Sequence, residues 1–139
     1  MKRKSIILIL LIIILGSCKI KESNKIKIDN LSIKIPEYFT GSYSDTSGAN
    51  YVDDTNNCKI YIRSVSGSNF KNIDEYANSI NKDLEEEKIN NVVWSYYIEE
   101  NTYYYVTLYQ DKLYFIDYES NNEVCNDYFY KIKKHLIFD

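Results

Sequence analysis

Three β-rich runs follow one another late in this chain with almost nothing between them: Val92 to Ile98, Tyr103 to Gln110 and Leu113 to Tyr118. Their connections, Glu99 to Thr102 and Asp111-Lys112, are too short for a crossover. The three runs must therefore lie as antiparallel neighbours in a meander. Upstream, Cys58 to Val65 and Tyr51 to Asp53 flank the polar loop Asp54-Thr55-Asn56-Asn57, which suits a hairpin. A strand is expected around Leu31 to Ile35, ended by Pro36, with Ile26 to Ile28 in the same ribbon. Thr40 to Asn50 reads as a turn-rich connection.

Two helices complete the pattern. Asn72, with Glu75 three positions on, is an N-cap signal. Ile73, Tyr76, Ala77, Ile80 and Leu84 then recur at helical spacing, and Glu85-Glu86-Glu87-Lys88 is expected to close the helix as a solvated end. After a turn at Asn121 to Asn126, a final helix turns Phe129, Ile132 and Leu136 inward and keeps Lys131, Lys133 and Lys134 outside. The sum is an α+β fold: an antiparallel β-sheet with helices packed on its faces.

The N-terminus fixes an address. Met1-Lys2-Arg3-Lys4 precedes an unbroken apolar run from Ile6 to Leu15. Such a run extends only about 15 Å as a helix, short of the roughly 30 Å hydrocarbon core, so a secretory signal is expected. It ends in Leu15-Gly16-Ser17-Cys18, and here the chain resembles the bacterial lipoprotein signal. That resemblance implies a diacylglycerol thioether on Cys18 and cleavage just before it. Residues 1–17 are then a cleaved signal peptide, 18–25 a lipidated tether and 26–139 a single domain.

Maturation removes three of the 17 basic residues and none of the 20 acidic ones, leaving 14 against 20 and a formal charge of −6. That sign argues against nucleic acid and against electrostatic adhesion to anionic lipid. The membrane partner is the lipid anchor itself. In a host with two membranes the outer one is favoured, since Lys19 is not the aspartate linked to inner-membrane retention.

With Cys18 assigned to lipid, Cys58 and Cys125 remain as an even pair outside the cytoplasm. They are a candidate disulfide, the alternative being two reduced buried thiols. Two cysteines and the single His135 do not make a metal-ligand set, and no cofactor motif appears. His135 sits among lysines, Asp53-Asp54 reads as a turn, and Ser64-Val65-Ser66-Gly67 is not a nucleophile elbow. No catalytic residue is expected.

Fifteen tyrosines are the unusual feature, and tyrosine, like the abundant Asn, Ile and Lys, is a residue that AT-rich codons encode, so the count alone does not argue function. Trp94, Tyr96, Tyr103, Tyr105, Tyr109 and Tyr114 could share one face of the meander. Rings with polar tips suit a half-wet binding surface, and equally cross-strand pairs beneath a helix.

At the level of the whole mature chain, three segments carry a resemblance to the PsbP-like fold. They are the Ser32-Ile33-Lys34-Ile35-Pro36 opening, the Asn72-Ile73-Asp74-Glu75-Tyr76-Ala77 helix start and the Tyr128-to-Leu136 closing helix. Extrinsic photosystem proteins and small envelope lipoproteins of the DcrB type share that fold. The resemblance implies a fold and carries no functional residue with it. The functional expectation is a non-catalytic, lipid-anchored envelope protein that binds a protein or another envelope component. An immunity protein that neutralises a toxin is the alternative, and a small envelope hydrolase is the third reading.

Overall fold

The computed structural model describes residues 24–44, 48–66 and 69–139. Cys18, the signal peptide and most of the tether lie outside them. Among the described residues ten strands form two antiparallel sheets, accompanied by two helices. The small sheet joins β1 (Asn24–Ile28), β2 (Leu31–Ile35) and β10 (Ile137–Phe138), with β2 in the middle. β1 begins at Asn24, so the last two residues of the predicted tether belong to the domain.

The large sheet is ordered β3 (Thr40–Ser44), β4 (Gly48–Asp53), β5 (Cys58–Ser66), β9 (Lys112–Ser120), β8 (Thr102–Tyr109), β7 (Val92–Glu99) and β6 (Glu85–Ile89). The meander is β7-β8-β9, as its short connections require. Gln110 and Asp111 turn the β8-β9 hairpin with positive φ, and Asn90 and Asn91 do the same for β6-β7. Two consecutive left-handed residues match the twist of the flanking strands.

Helix α1 (Ile73–Ile80) is capped by Asn72, whose side chain accepts from the Glu75 amide at 2.9 Å. It stops earlier than the periodicity suggested. Asn81 takes the left-handed conformation (φ 53°), and its amide closes on Ala77 and Asn78. Glu85 to Lys88 therefore do not extend the helix; they form the edge strand β6, against expectation. The alternation explains the gain. Glu85 accepts from the Tyr96 hydroxyl at 2.8 Å, and Glu87 accepts from Tyr105 at 2.5 Å and from Lys133 at 2.9 Å. A charge run has thus become a strand with tyrosine and lysine partners. Thr40 to Asn50, read as turns, likewise contains β3 and the start of β4.

Helix α2 (Glu123–Lys134) is capped by Asn122 and carries three lysines in its last turn, where they complement its dipole. It lies with the small sheet against the inner face of the large one. Ile28, Leu31, Ile35, Ile60, Ile62, Ile116, Phe129 and Ile132 fill the space between them. A second, smaller cluster lies on the opposite face, where Val106, Leu113 and Phe115 are covered by Phe70, Ile73, Tyr76 and Leu84. The inner face of the sheet is covered throughout its middle, the outer face only in part.

Cys58 and Cys125 are joined, with Cα atoms 5.5 Å apart, which ties the start of β5 to the first turn of α2. Beside them the Tyr118 hydroxyl donates to the Cys125 carbonyl at 2.7 Å in a buried setting. Removing that hydroxyl by Tyr118→Phe should cost about 1 kcal/mol, readable as a lower urea midpoint at unchanged slope.

Candidate functional site

The tyrosine face singled out from the sequence is the inner one. Trp94 and Tyr114 are fully buried, Tyr105 nearly so, and Tyr96, Tyr103 and Tyr109 pack against the same core. Tyr105 and Tyr103 meet Phe129 of α2, while Trp94, Tyr109 and Tyr114 meet Phe138 of β10. The reason is that α2 and the small sheet both close over this face, so its rings are cross-strand core pairs. Of the six residues expected at a binding surface, Trp94, Tyr105 and Tyr114 are core, and Tyr96, Tyr103 and Tyr109 are half-buried at its margin.

The other candidates from the sequence do not converge. Asp53 is buried and spends its carboxylate on the Thr55 amide (3.1 Å), the Asn56 amide (3.4 Å) and the Asn56 side chain (2.8 Å). It closes the β4-β5 turn. His135 is the exposed C-cap of α2. Among the described residues no group of three or more His, Cys, Asp or Glu could hold a metal.

What the pattern missed lies on the outer face. There the opposite parity of each strand brings Tyr61, Asp117, Tyr104 and Tyr97 into one row, and Arg63, Phe115 and Val106 into the next. Tyr76 of α1 packs edge-on against Phe115, at 5.4 Å between centroids. Tyr97 and Tyr104 stack at 4.7 Å. Together with Arg63, Val106 and Asp117 these rings line a cavity of about 120 Å³.

The electrostatics of this cavity are unusual. Among the described residues Asp117 accepts no side-chain hydrogen bond and forms no ion pair within 4.0 Å. Burial pushes its carboxyl above the ordinary value, and the Arg63 charge pulls it only partly back. Arg63 does not close on it. Its guanidinium carbon sits 4.5 Å from the Phe115 ring centre, and its buried Nε has no partner. Burial also raises the hydroxyls of Tyr76 and Tyr97. Lys82 Nζ already stands 5.3 Å from the Tyr97 ring centre, held by Glu99 at 3.6 Å.

No family model matches this chain, and no curated protein matches it in sequence. Solved structures do. The solution structure of cyanobacterial PsbP (CyanoP) from Synechocystis superposes with a TM-score of 0.55 at 12% identity, over 88% of this chain and 95% of that one. The fold is PsbP-like. A crystal structure from Bacteroides thetaiotaomicron superposes with a TM-score of 0.58 at 13% identity, covering 86% of this chain. This chain spans about half of that protein, 49% of its length.

On this PsbP-like sheet the cavity sits where α1 leaves strands β7, β8 and β9 uncovered at its edge. A carboxylate without a hydrogen bond or close ion pair, walled by aromatic rings, is suited to a cation, because the ring quadrupoles and the charge act in the same direction. The volume sets the size of that cation. Small-molecule sites occupy roughly 300–1,000 Å³. A cavity of about 120 Å³ has room for the end of one side chain. A signal for it stands in the sequence: an aspartate inside Leu113-Tyr114-Phe115-Ile116-Asp117-Tyr118 and an arginine inside Ile60-Tyr61-Ile62-Arg63. Charges in the middle of apolar strands are the departures from local pattern at which functional sites are expected.

Proposed function

We propose that this protein is a lipid-anchored, non-catalytic protein of the cell envelope that binds a basic protein partner through its outer sheet face. One lysine or arginine of the partner enters the Asp117 cavity. The observation that carries the reading is the half-buried Asp117 carboxylate, with no hydrogen bond or ion pair to the protein among the described residues, at an aromatic-lined opening sized for a side chain. The formal charge of −6 on the mature chain supports it, since it would steer a basic partner. The Leu15-Gly16-Ser17-Cys18 motif supports the anchor and a position outside the cytoplasm, on the outer membrane if the host has two.

The test is cross-linking of the native protein in its own envelope, with wild type and Asp117→Asn side by side. One stoichiometric protein, linked near α1 and β7 and lost with the asparagine variant, is the expected result. Recovery of only lipid and self-linked species would overturn the reading. An immunity protein is the second reading, favoured by the same charge, and a partner that is a toxin encoded beside this chain would select it. The anchor has its own test. Cys18→Ala should leave an uncleaved precursor without lipid, and a normally processed, membrane-bound protein would sink the assignment.

A further inference from the structure

We infer that the outward face of the small sheet is a docking surface for the anionic headgroups of the membrane in which the protein is anchored. The inference rests on the anchored reading above and goes beyond it, because it says how the domain is oriented. The mature chain is acidic overall, which argued against such contact, but an average conceals where charges sit. Lys25 of β1 stands directly opposite Lys34 of β2. Like charges opposed on neighbouring strands oppose pairing. Neither lysine has an acidic partner among the described residues, whereas Lys27, on the same face, is paired with Asp139. His135 lies beside them.

These basic groups edge a groove of about 330 Å³ whose floor is the backbone of β1 and β2 at Ile26 and Ile33, the side chains of those two residues lying in the core on the other side. Tyr43 and Ile137 stand at its sides, 51% and 52% exposed. Lysines with apolar stems around a tyrosine and an isoleucine make a surface suited to the headgroup boundary, where the stems bury and the ammonium groups remain with the phosphates.

Chain length supplies the second argument. Only five residues lie between Cys18 and Asn24, the first residue of β1, which makes six steps along the chain. Fully extended they span at most about 20 Å. A lipid on Cys18 therefore holds β1, and the sheet it belongs to, close to the headgroups whatever path the tether takes. The unpaired lysines are on the element that the anchor brings nearest. The Asp117 cavity is on the other side of the large sheet from the small one, so docking here leaves it free.

The experiment reconstitutes the full lipidated protein into vesicles of phosphatidylcholine alone or with phosphatidylglycerol. A lysine-acylating reagent is then read by mass spectrometry at Lys25 and Lys34, with exposed Lys88 as reference. Acylation of Lys25 and Lys34 relative to Lys88 should fall about three-fold on the anionic vesicles and recover in high salt, where screening shortens to a few ångströms. Amide exchange over β1 and β2 should slow on the same vesicles, and should not do so in the double variant Lys25→Gln/Lys34→Gln. Equal labelling on both compositions overturns the proposal, as does protection that ignores lipid charge, which would mean a protein or second copy in the groove. Flotation separates the two levels of the argument. Protein that does not float with either vesicle refutes the anchor, and floating protein with unprotected lysines refutes only the docking face.

Discussion

Reduction of the Cys58–Cys125 bond is expected to lower the melting temperature by on the order of 15 °C. The two residues are 67 apart in sequence, so the bond closes a loop of about half the chain. In the chain-entropy account such a loop is worth about 4 kcal/mol, taken from the freedom of the unfolded chain. For a domain of this size each kcal/mol corresponds to roughly 4 °C. The structure also limits the effect. Around the bond the Asn121 side chain donates to the Asn57 carbonyl at 2.7 Å, and Asn122 donates to Asn56 at 2.6 Å. These contacts keep α2 attached to the β4-β5 turn in the native state, so reduction acts on the unfolded state and should leave the fold intact at low temperature. Thermal melts with and without reductant, alongside the variant Cys58→Ala/Cys125→Ala, check it. An unchanged midpoint would mean that the unfolded chain is already closed across this loop by other contacts.

How much of this was legible depends on whether the deciding contact is local. The β7-β8-β9 meander was readable because Asp111-Lys112 leaves no room for any other connection, and the first helix start because Asn72 caps its own next turn. The second start was placed too late: Asn121 to Asn126 reads as a turn, whereas Asn122 caps a helix that begins at Glu123. The Glu85-Glu86-Glu87 run was not. Its strand state depends on Tyr96, Tyr105 and Lys133, which are 11 to 46 residues away. Strand β10 escaped for the same reason: two residues have no periodicity, and Ile137 and Phe138 pair with β2 from the far end of the chain.

The tyrosines show the limit most clearly. Alternation correctly separated Tyr103, Tyr105 and Tyr109 from Tyr104, Val106 and Leu108. It could not say which set would be buried beneath α2, because that is decided by a helix that begins fourteen residues after Tyr109. The two charges that mark the outer cavity, Arg63 and Asp117, belong to strands whose pairing is visible only once β5 lies beside β9. Each was a single anomaly until the fold put them in one place.

Replacing Asp117 by asparagine should weaken partner binding and stabilise the protein in one step. The carboxyl would titrate at 3.8 without its surroundings, and burial in the fold raises that value. A raised carboxyl is one whose ionised form the fold disfavours. The penalty is carried in full above the folded pKa, and it is relieved as pH falls through the folded value toward 3.8. Wild type should therefore gain stability on mild acidification in that window, and Asp117→Asn should lack this gain. At neutral pH the variant should be more stable by about 0.5–2 kcal/mol, the range for relieving a cost kept for function. Its affinity should fall by roughly thirty-fold or more, because a cation taken into the cavity would lose its counter-charge. The same titration predicts that wild-type binding weakens as pH drops through the window in which stability rises. Opposite slopes of stability and affinity against pH, both abolished by asparagine, are what a binding carboxylate produces. A variant that is destabilised and binds as wild type would make Asp117 a structural partner of Arg63.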